Sequence, residues 1–156
     1  RTALMTKVQK FIEKAARLKM IGDISKFAPD IQEGMRKAME ESQKNDKITV
    51  TFALNYGGRD EILRAIRKMM DDPARSDLVG LRLQDQTLEK YLDTVGMPYP
   101  DLIIRTGGEQ RTSGFLMWQS AYSELYFTPR LWPSFSKKDF DRALDDYSHR
   151  KRRFGN

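Results

Sequence analysis

Apolar residues first recur at helical spacing. Ala3, Leu4, Val8, Phe11, Ile12 and Ala15 share one face of a helix predicted over roughly residues 3–15. The period then shortens: Arg17-Leu18-Lys19-Met20-Ile21 reads as a strand that stops at Gly22-Asp23. Pro29-Asp30 opens a second helix through about Glu41, with Ile31, Met35, Ala38 and Met39 facing inward. The clearest strand runs from Lys47 to Tyr56. There Ile48, Val50, Phe52 and Leu54 alternate with Thr49, Thr51 and Ala53, and Gly57-Gly58 ends the run. Helices follow over about Asp60–Met70 and Asp85–Thr94, with the loose stretch Asp71–Val79 between them. Leu102-Ile103-Ile104 is continuously apolar, as in the buried centre of a parallel sheet. A helix over about Gly114–Ala121, a strand near Leu125–Phe127 and a helix from Lys137 to about Arg150, N-capped by Ser136, complete the pattern.

Strands alternating with helices predict an α/β fold, a mostly parallel central sheet flanked by helices. In such sheets ligands bind beyond the carboxyl ends of strands, where both Gly-Gly pairs fall. A chain of 156 residues, 39% hydrophobic, is long enough for one cored domain. It has no run of eighteen apolar residues of the kind that spans a bilayer. The absence of Cys excludes disulfides and thiolate metal sites and fits a reducing compartment. With His149 as the only histidine, multi-His zinc sites and a Ser-His triad have little support; His149 itself reads as an exposed residue.

The net charge of +6 points to anionic partners. Six basic residues stand among the first twenty against Glu13 alone, and Arg150-Lys151-Arg152-Arg153 forms a second cluster. That second cluster is suited to weak contact with an anionic membrane surface. No interleaving of aromatic and basic residues marks a nucleic-acid surface, so nucleic acid is not an expected partner.

The chemistry concentrates between Asp101 and Glu124. A strand delivers Arg105, Gly107, Gly108, Arg111, Thr112 and Ser113 to the predicted start of a helix. Glycines permit close backbone approach, helix-terminal amides attract anions, arginines grip phosphate oxygens in a fork, and hydroxyls add donors. Glu124 is a candidate metal ligand beside that pocket, since Mg²⁺ is commonly held by one or two carboxylates, phosphates and water. Plain alternatives stand beside each reading. A Gly-Gly pair after a strand also serves as a turn, and a lone Glu as an arginine's ion-pair partner. Ile48, Val50, Phe52 and Leu54 suit an alkyl channel or an ordinary core.

The segment Asp101–Pro133 resembles the C-terminal signature of the cis-prenyltransferases, the undecaprenyl diphosphate synthase family. The match runs through Asp-Leu-x-Ile-Arg-Thr-Gly-Gly-Glu, Arg-x-Ser, Phe-Leu-x-Trp-Gln, Ala-Tyr-x-Glu-Leu-Tyr-Phe and Leu-Trp-Pro. Ile21-Gly22-Asp23, Asn55-Tyr56-Gly57-Gly58-Arg59 and Arg152-Arg153-Phe154-Gly155 match in the same order, so the resemblance covers nearly the whole chain. It implies the family's α/β fold, neither a P-loop nor a Rossmann arrangement. It also implies cis-prenyl chain elongation, isopentenyl diphosphate condensing with an allylic diphosphate. Arg105, Arg111 and Ser113, with Thr112 beside them, match positions that bind the isopentenyl diphosphate, and Glu124 matches a Mg²⁺ ligand. Arg153 and Gly155 match a tail that crosses a homodimer interface into the partner's site. The expected location is cytoplasmic, with peripheral contact at the membrane.

The chain departs from the family pattern in three places. In the loop, Gln110 stands where His is common and Gly114 where Asn is usual. The helix before Arg17 is shorter than the family's, as if several residues were missing between Ala15 and Arg17. The family's Asp-Gly-Asn-x-x-Arg motif, and the Phe-Ser-x-Glu-Asn-Trp stretch after it, have no counterpart. The expectation is therefore that residues 1–156 are the C-terminal part of a single cis-prenyltransferase-like domain, with no catalytic residue of their own and no turnover without the remainder. The alternative is a non-catalytic prenyltransferase-like subunit that supports a catalytic partner.

Overall fold

A computed structural model gives the fold; it describes residues 2–73 and 85–150, with side chains from Val8 onward. Most of the predicted loose stretch Asp71–Val79 lies outside the described residues, as do Arg153 and Gly155 of the tail. The chain forms two compact units, divided between Val95 and Gly96.

The first unit contains α1 (Thr2–Glu13), β1 (Ala16–Ile21), α2 (Pro29–Glu41), β2 (Ile48–Ala53), α3 (Gly58–Met70) and α4 (Asp85–Glu89). β1 and β2 pair in parallel, Ala16 opposite Ile48 through Ile21 opposite Ala53. A parallel pair needs a crossover, and α2 supplies it. Pro29, with its fixed φ and no N–H to leave orphaned, starts that helix where the sequence predicts. Val8, Leu18 and Ala38 form the buried centre, with Ile12, Val50 and Phe52 packed on it. Phe11 meets Phe52 edge to face at 5.9 Å. The end of α2 is tied to β1 by the fully buried Ser42. Its Oγ accepts from the Leu18 amide at 2.9 Å and donates to the Ala38 carbonyl at 2.8 Å.

The helix predicted over Asp85–Thr94 stops at Glu89. Tyr91 and Val95 donate to carbonyls three residues back, and the Asp93 amide donates instead to Glu61 Oε1 at 3.0 Å. A tertiary acceptor thus takes the amide that would have continued the helix.

The second unit contains β3 (Leu102–Arg105), β4 (Glu124–Phe127) and α5 (Lys137–His149). β3 and β4 are parallel, Leu102 opposite Glu124 and Arg105 opposite Phe127. Leu102–Ile104 are half-buried rather than buried, since β4 is the one strand paired with β3 among the described residues. Ser136 caps α5 as predicted: its side chain accepts from the Asp139 amide, and the Asp139 carboxylate accepts from the Ser136 amide.

The helix predicted over Gly114–Ala121 is instead a succession of turns. Ser113, Gly114 and Leu116 all have positive φ, 50°, 77° and 48°, which a right-handed helix cannot contain. The apolar spacing of Phe115, Leu116 and Trp118 imitates a helical period without forming one. No helix among the described residues is long and apolar enough to cross a membrane.

Candidate diphosphate site

Arg105 is the last residue of β3. Its Nη1 donates to Ser113 Oγ at 2.9 Å and to the Arg111 carbonyl, so the chain between them folds back over the strand's carboxyl end. Both bonds use one nitrogen and leave the Nη2 and Nε hydrogens of the fork unspent by them. The structure thus brings together three of the predicted residues, Arg105, Arg111 and Ser113, with half-buried Thr112 between the last two. The Arg111 guanidinium pairs with Glu109, and both side chains are about half exposed or more.

Of the two readings of the glycines, the turn fits and the anion cradle does not. The Gly107 amide donates to the Arg130 carbonyl at 2.7 Å and the Gly108 amide to the Thr128 carbonyl at 2.9 Å. Those N–H groups are committed to the chain after β4 and are not bare donors for an anion. Gly107 and Gly108 have φ of 93° and 83°, so glycine is needed for a left-handed turn. A Cβ on Gly107 would meet nothing within 4 Å, which makes the requirement one of conformation and not of space. Nor does the predicted helix N-terminus face the loop, because residues 113–122 are turns. The cationic groups of the loop are Arg105 and Arg111, the latter ion-paired with Glu109.

Glu124 is not part of this cluster. It is the first residue of β4 and pairs with Leu102, three residues before Arg105. At about 3.3 Å per residue this offset is about 10 Å along the pair. An odd offset also sends the two side chains to opposite faces of the pleat. Glu124 Oε2 instead accepts from Arg150 Nη1 at 2.9 Å. Among the described residues no group of three or more His, Cys, Asp or Glu gathers where a metal ion could be held. A single carboxylate already balanced by an arginine does not make a Mg²⁺ site.

The first unit holds a polar network that the sequence reading missed. Glu61, on α3, is 1% exposed. It accepts from Tyr56 Oη at 2.5 Å and from the Asp93 amide at 3.0 Å. Asp93 in turn binds Arg64, Lys68 and the amide of Gly22. Gly22 and Asn55 follow the ends of β1 and β2, and the Asp23 amide donates to the Asn55 carbonyl at 3.2 Å. The signal was available: Gly58, Glu61, Ala65 and Met69 repeat at helical spacing, which places a glutamate on an inward stripe.

A small apolar gap of about 20 Å³ lies between this sheet and its helices. Met20, Gly34, Met35, Phe52 and Leu54 are among its lining. Phe52 and Val50 both pack on the core, Leu54 borders the gap, and Ile48 is 58% exposed, so the four do not form one alkyl-lining face.

A family model described as "Putative undecaprenyl diphosphate synthase" matches residues 1–155. The chain belongs to the undecaprenyl diphosphate synthase family. An isoprenyl transferase of Ralstonia nicotianae is 46% identical over 154 residues, covering 99% of this chain and 59% of the relative. An isoprenyl transferase of Oceanobacillus iheyensis is 43% identical, over 92% of this chain and 57% of the relative. The crystal structure of a probable undecaprenyl diphosphate synthase from Campylobacter jejuni superposes with a TM-score of 0.83 at 32% identity, covering 99% of this chain and 71% of the other. Lavandulyl diphosphate synthase from Lavandula x intermedia, solved in complex with dimethylallyl diphosphate, gives 0.86 at 33% identity, over 98% of this chain and 70% of the other. These cis-prenyltransferase structures share the α/β arrangement of parallel strands and helices. The chain spans about three-fifths of the length of the curated relatives it matches.

Proposed function

We propose that this chain supplies the isopentenyl diphosphate side of a cis-prenyltransferase, which condenses isopentenyl diphosphate with an allylic diphosphate. The observation that carries the reading is the Arg105–Ser113 bond, which folds the family's Arg-Thr-Gly-Gly-Glu and Arg-x-Ser residues into one loop at the end of β3. Arg105 and Arg111 would grip the diphosphate oxygens, and Ser113 would orient the Arg105 fork while its hydroxyl, with that of Thr112, donates to phosphate. Phe52 and Leu54, at the carboxyl end of β2, offer an apolar surface that suits a growing alkyl chain, though the gap they line in this chain is itself too small to hold one.

Magnesium, when bound, would neutralise diphosphate charge and ease departure of the allylic diphosphate. The described residues do not hold it alone, so this reading assigns the main metal carboxylates to an Asp-Gly-Asn-x-x-Arg segment that residues 1–156 do not contain. The same reading takes residues 1–156 as part of one prenyltransferase domain, working as a homodimer in the cytoplasm near the membrane that receives its lipid product. Arg153 and Gly155 would complete the partner's site.

A steady-state assay with farnesyl and isopentenyl diphosphates tests it. The 156-residue chain should give no product by itself. Joined to the Asp-Gly-Asn-x-x-Arg-bearing segment of an isoprenyl transferase relative, it should turn over. Robust product from the unjoined chain would sink the division of labour, and an inactive but folded fusion would sink the enzyme reading.

A further inference from the structure

The guanidinium of Arg150 closes on two elements at once. Nη1 donates to Glu124 Oε2 at 2.9 Å and to the Leu125 carbonyl at 3.0 Å, both on β4. Nε and Nη2 reach Asp146 Oδ1 on α5 at 2.6 and 2.5 Å. The Arg150 amide caps the same helix by donating to the Tyr147 carbonyl at 3.1 Å. With three acceptors on a planar fork, the guanidinium has one orientation and little freedom left to lose. The Arg150 and Glu124 side chains are 31% and 28% exposed, so solvent screens the pair only in part.

A cation arriving at Glu124 would therefore meet a carboxylate whose charge is already balanced. It would also lie within a few ångströms of a fixed positive charge that Leu125 and Asp146 hold in place. We propose that Arg150 is a positioning residue that acts through Glu124: it is the resident cation of that carboxylate, holds it against β4, and keeps free divalent ions from it. Glu124 becomes available to a metal only when the Arg150 fork lets go. The proposal concerns the cation alone and does not depend on how Arg105 meets a diphosphate.

Mn²⁺ titrated into the 156-residue chain without diphosphate, with free ion read by electron paramagnetic resonance, tests it. Wild type and Glu124→Gln should bind Mn²⁺ equally. Arg150→Gln should gain a site at least fivefold tighter, and Glu124→Gln in the same chain should abolish the gain. Arg150→Lys keeps the charge without the fork, so its Mn²⁺ affinity should fall between those of wild type and Arg150→Gln, a graded response that a merely structural arginine would not produce. Thermal melts establish whether each variant is folded. If Arg150→Gln fails to fold, the comparison of wild type with Glu124→Gln still decides. A fivefold loss of Mn²⁺ affinity in Glu124→Gln would show that Glu124 holds the ion despite Arg150, and would overturn the proposal. A folded Arg150→Gln that binds Mn²⁺ no better than wild type would overturn it too.

Discussion

Arg64 grips Asp93 with both arms of its guanidinium, Nη1 to Oδ1 at 2.7 Å and Nη2 to Oδ2 at 2.6 Å, while the Gly22 amide donates to the same Oδ2 at 3.0 Å. One carboxylate thereby fixes the end of β1 to α3 and to the segment after α4. The Asp93 side chain is only 10% exposed. An amide in its place would leave one acceptor oxygen for the Arg64 fork and the Gly22 amide together, with Asp60 as Arg64's remaining anionic partner. Asp93→Asn should cost about 2–3 kcal/mol in urea unfolding at neutral pH. A loss below about 0.5 kcal/mol would show that the network is ornamental.

The same contact sets an acid limit on the fold. Burial pushes the Asp93 carboxyl upward, but hydrogen bonds from Arg64 and Gly22 and the nearby Lys68 charge outweigh it and hold the carboxyl below its usual range. A carboxylate whose folded pKa is depressed lends stability above its unfolded pKa, about 3.9, and loses it as pH falls through the folded value. Wild-type stability should therefore decline from about pH 4 downward. The Asp93→Asn profile should be flatter over that range; parallel profiles would contradict the assignment.

Gly22 and Gly107 separate two uses of glycine. A Cβ on Gly22 would sit 2.1 Å from the Leu54 carbonyl oxygen, at a φ of +102°. Gly22→Ala should cost more than about 3 kcal/mol or prevent folding. Gly107 has a similar φ of +93° but open space, so Gly107→Ala should cost about 1–2 kcal/mol. Thermal denaturation of the two variants would rank them, and equal losses would refute the distinction.

Ser42 satisfies the Leu18 amide from inside the protein. Ser42→Ala leaves that buried donor unpaired at the price of about 1–3 kcal/mol. Urea unfolding checks this, and an unchanged midpoint would show that the β1 amide finds another acceptor.

Much of this arrangement was legible in the sequence, for local reasons. Pro29 and Ser136 start their helices where propensity and capping dictate, and strand alternation marked β1 and β2. The Arg105, Arg111 and Ser113 set was found by residue type and spacing, and the turn between them brings it together. Three features were not legible. The turns after Ser113 depend on left-handed backbone at Ser113 and Leu116, which no propensity favours. The end of α4 depends on a partner 32 residues away and the rest of the Asp93 network on partners 29 and 71 residues away. Glu124 looked adjacent to Arg105 because the residues share a motif, but strand register and pleat separate them.

The most direct test of the diphosphate loop is calorimetric titration of isopentenyl diphosphate into the chain and its Arg111→Ala and Arg105→Ala variants. Each arginine–phosphate bond is charge-assisted, so either loss should weaken binding about tenfold or more. Arg105→Ala should also lower the melting temperature, because it releases the loop from Ser113, whereas Arg111→Ala should leave it nearly unchanged. Equal affinity in wild type and both variants, or no binding by the folded wild-type chain, would contradict the account.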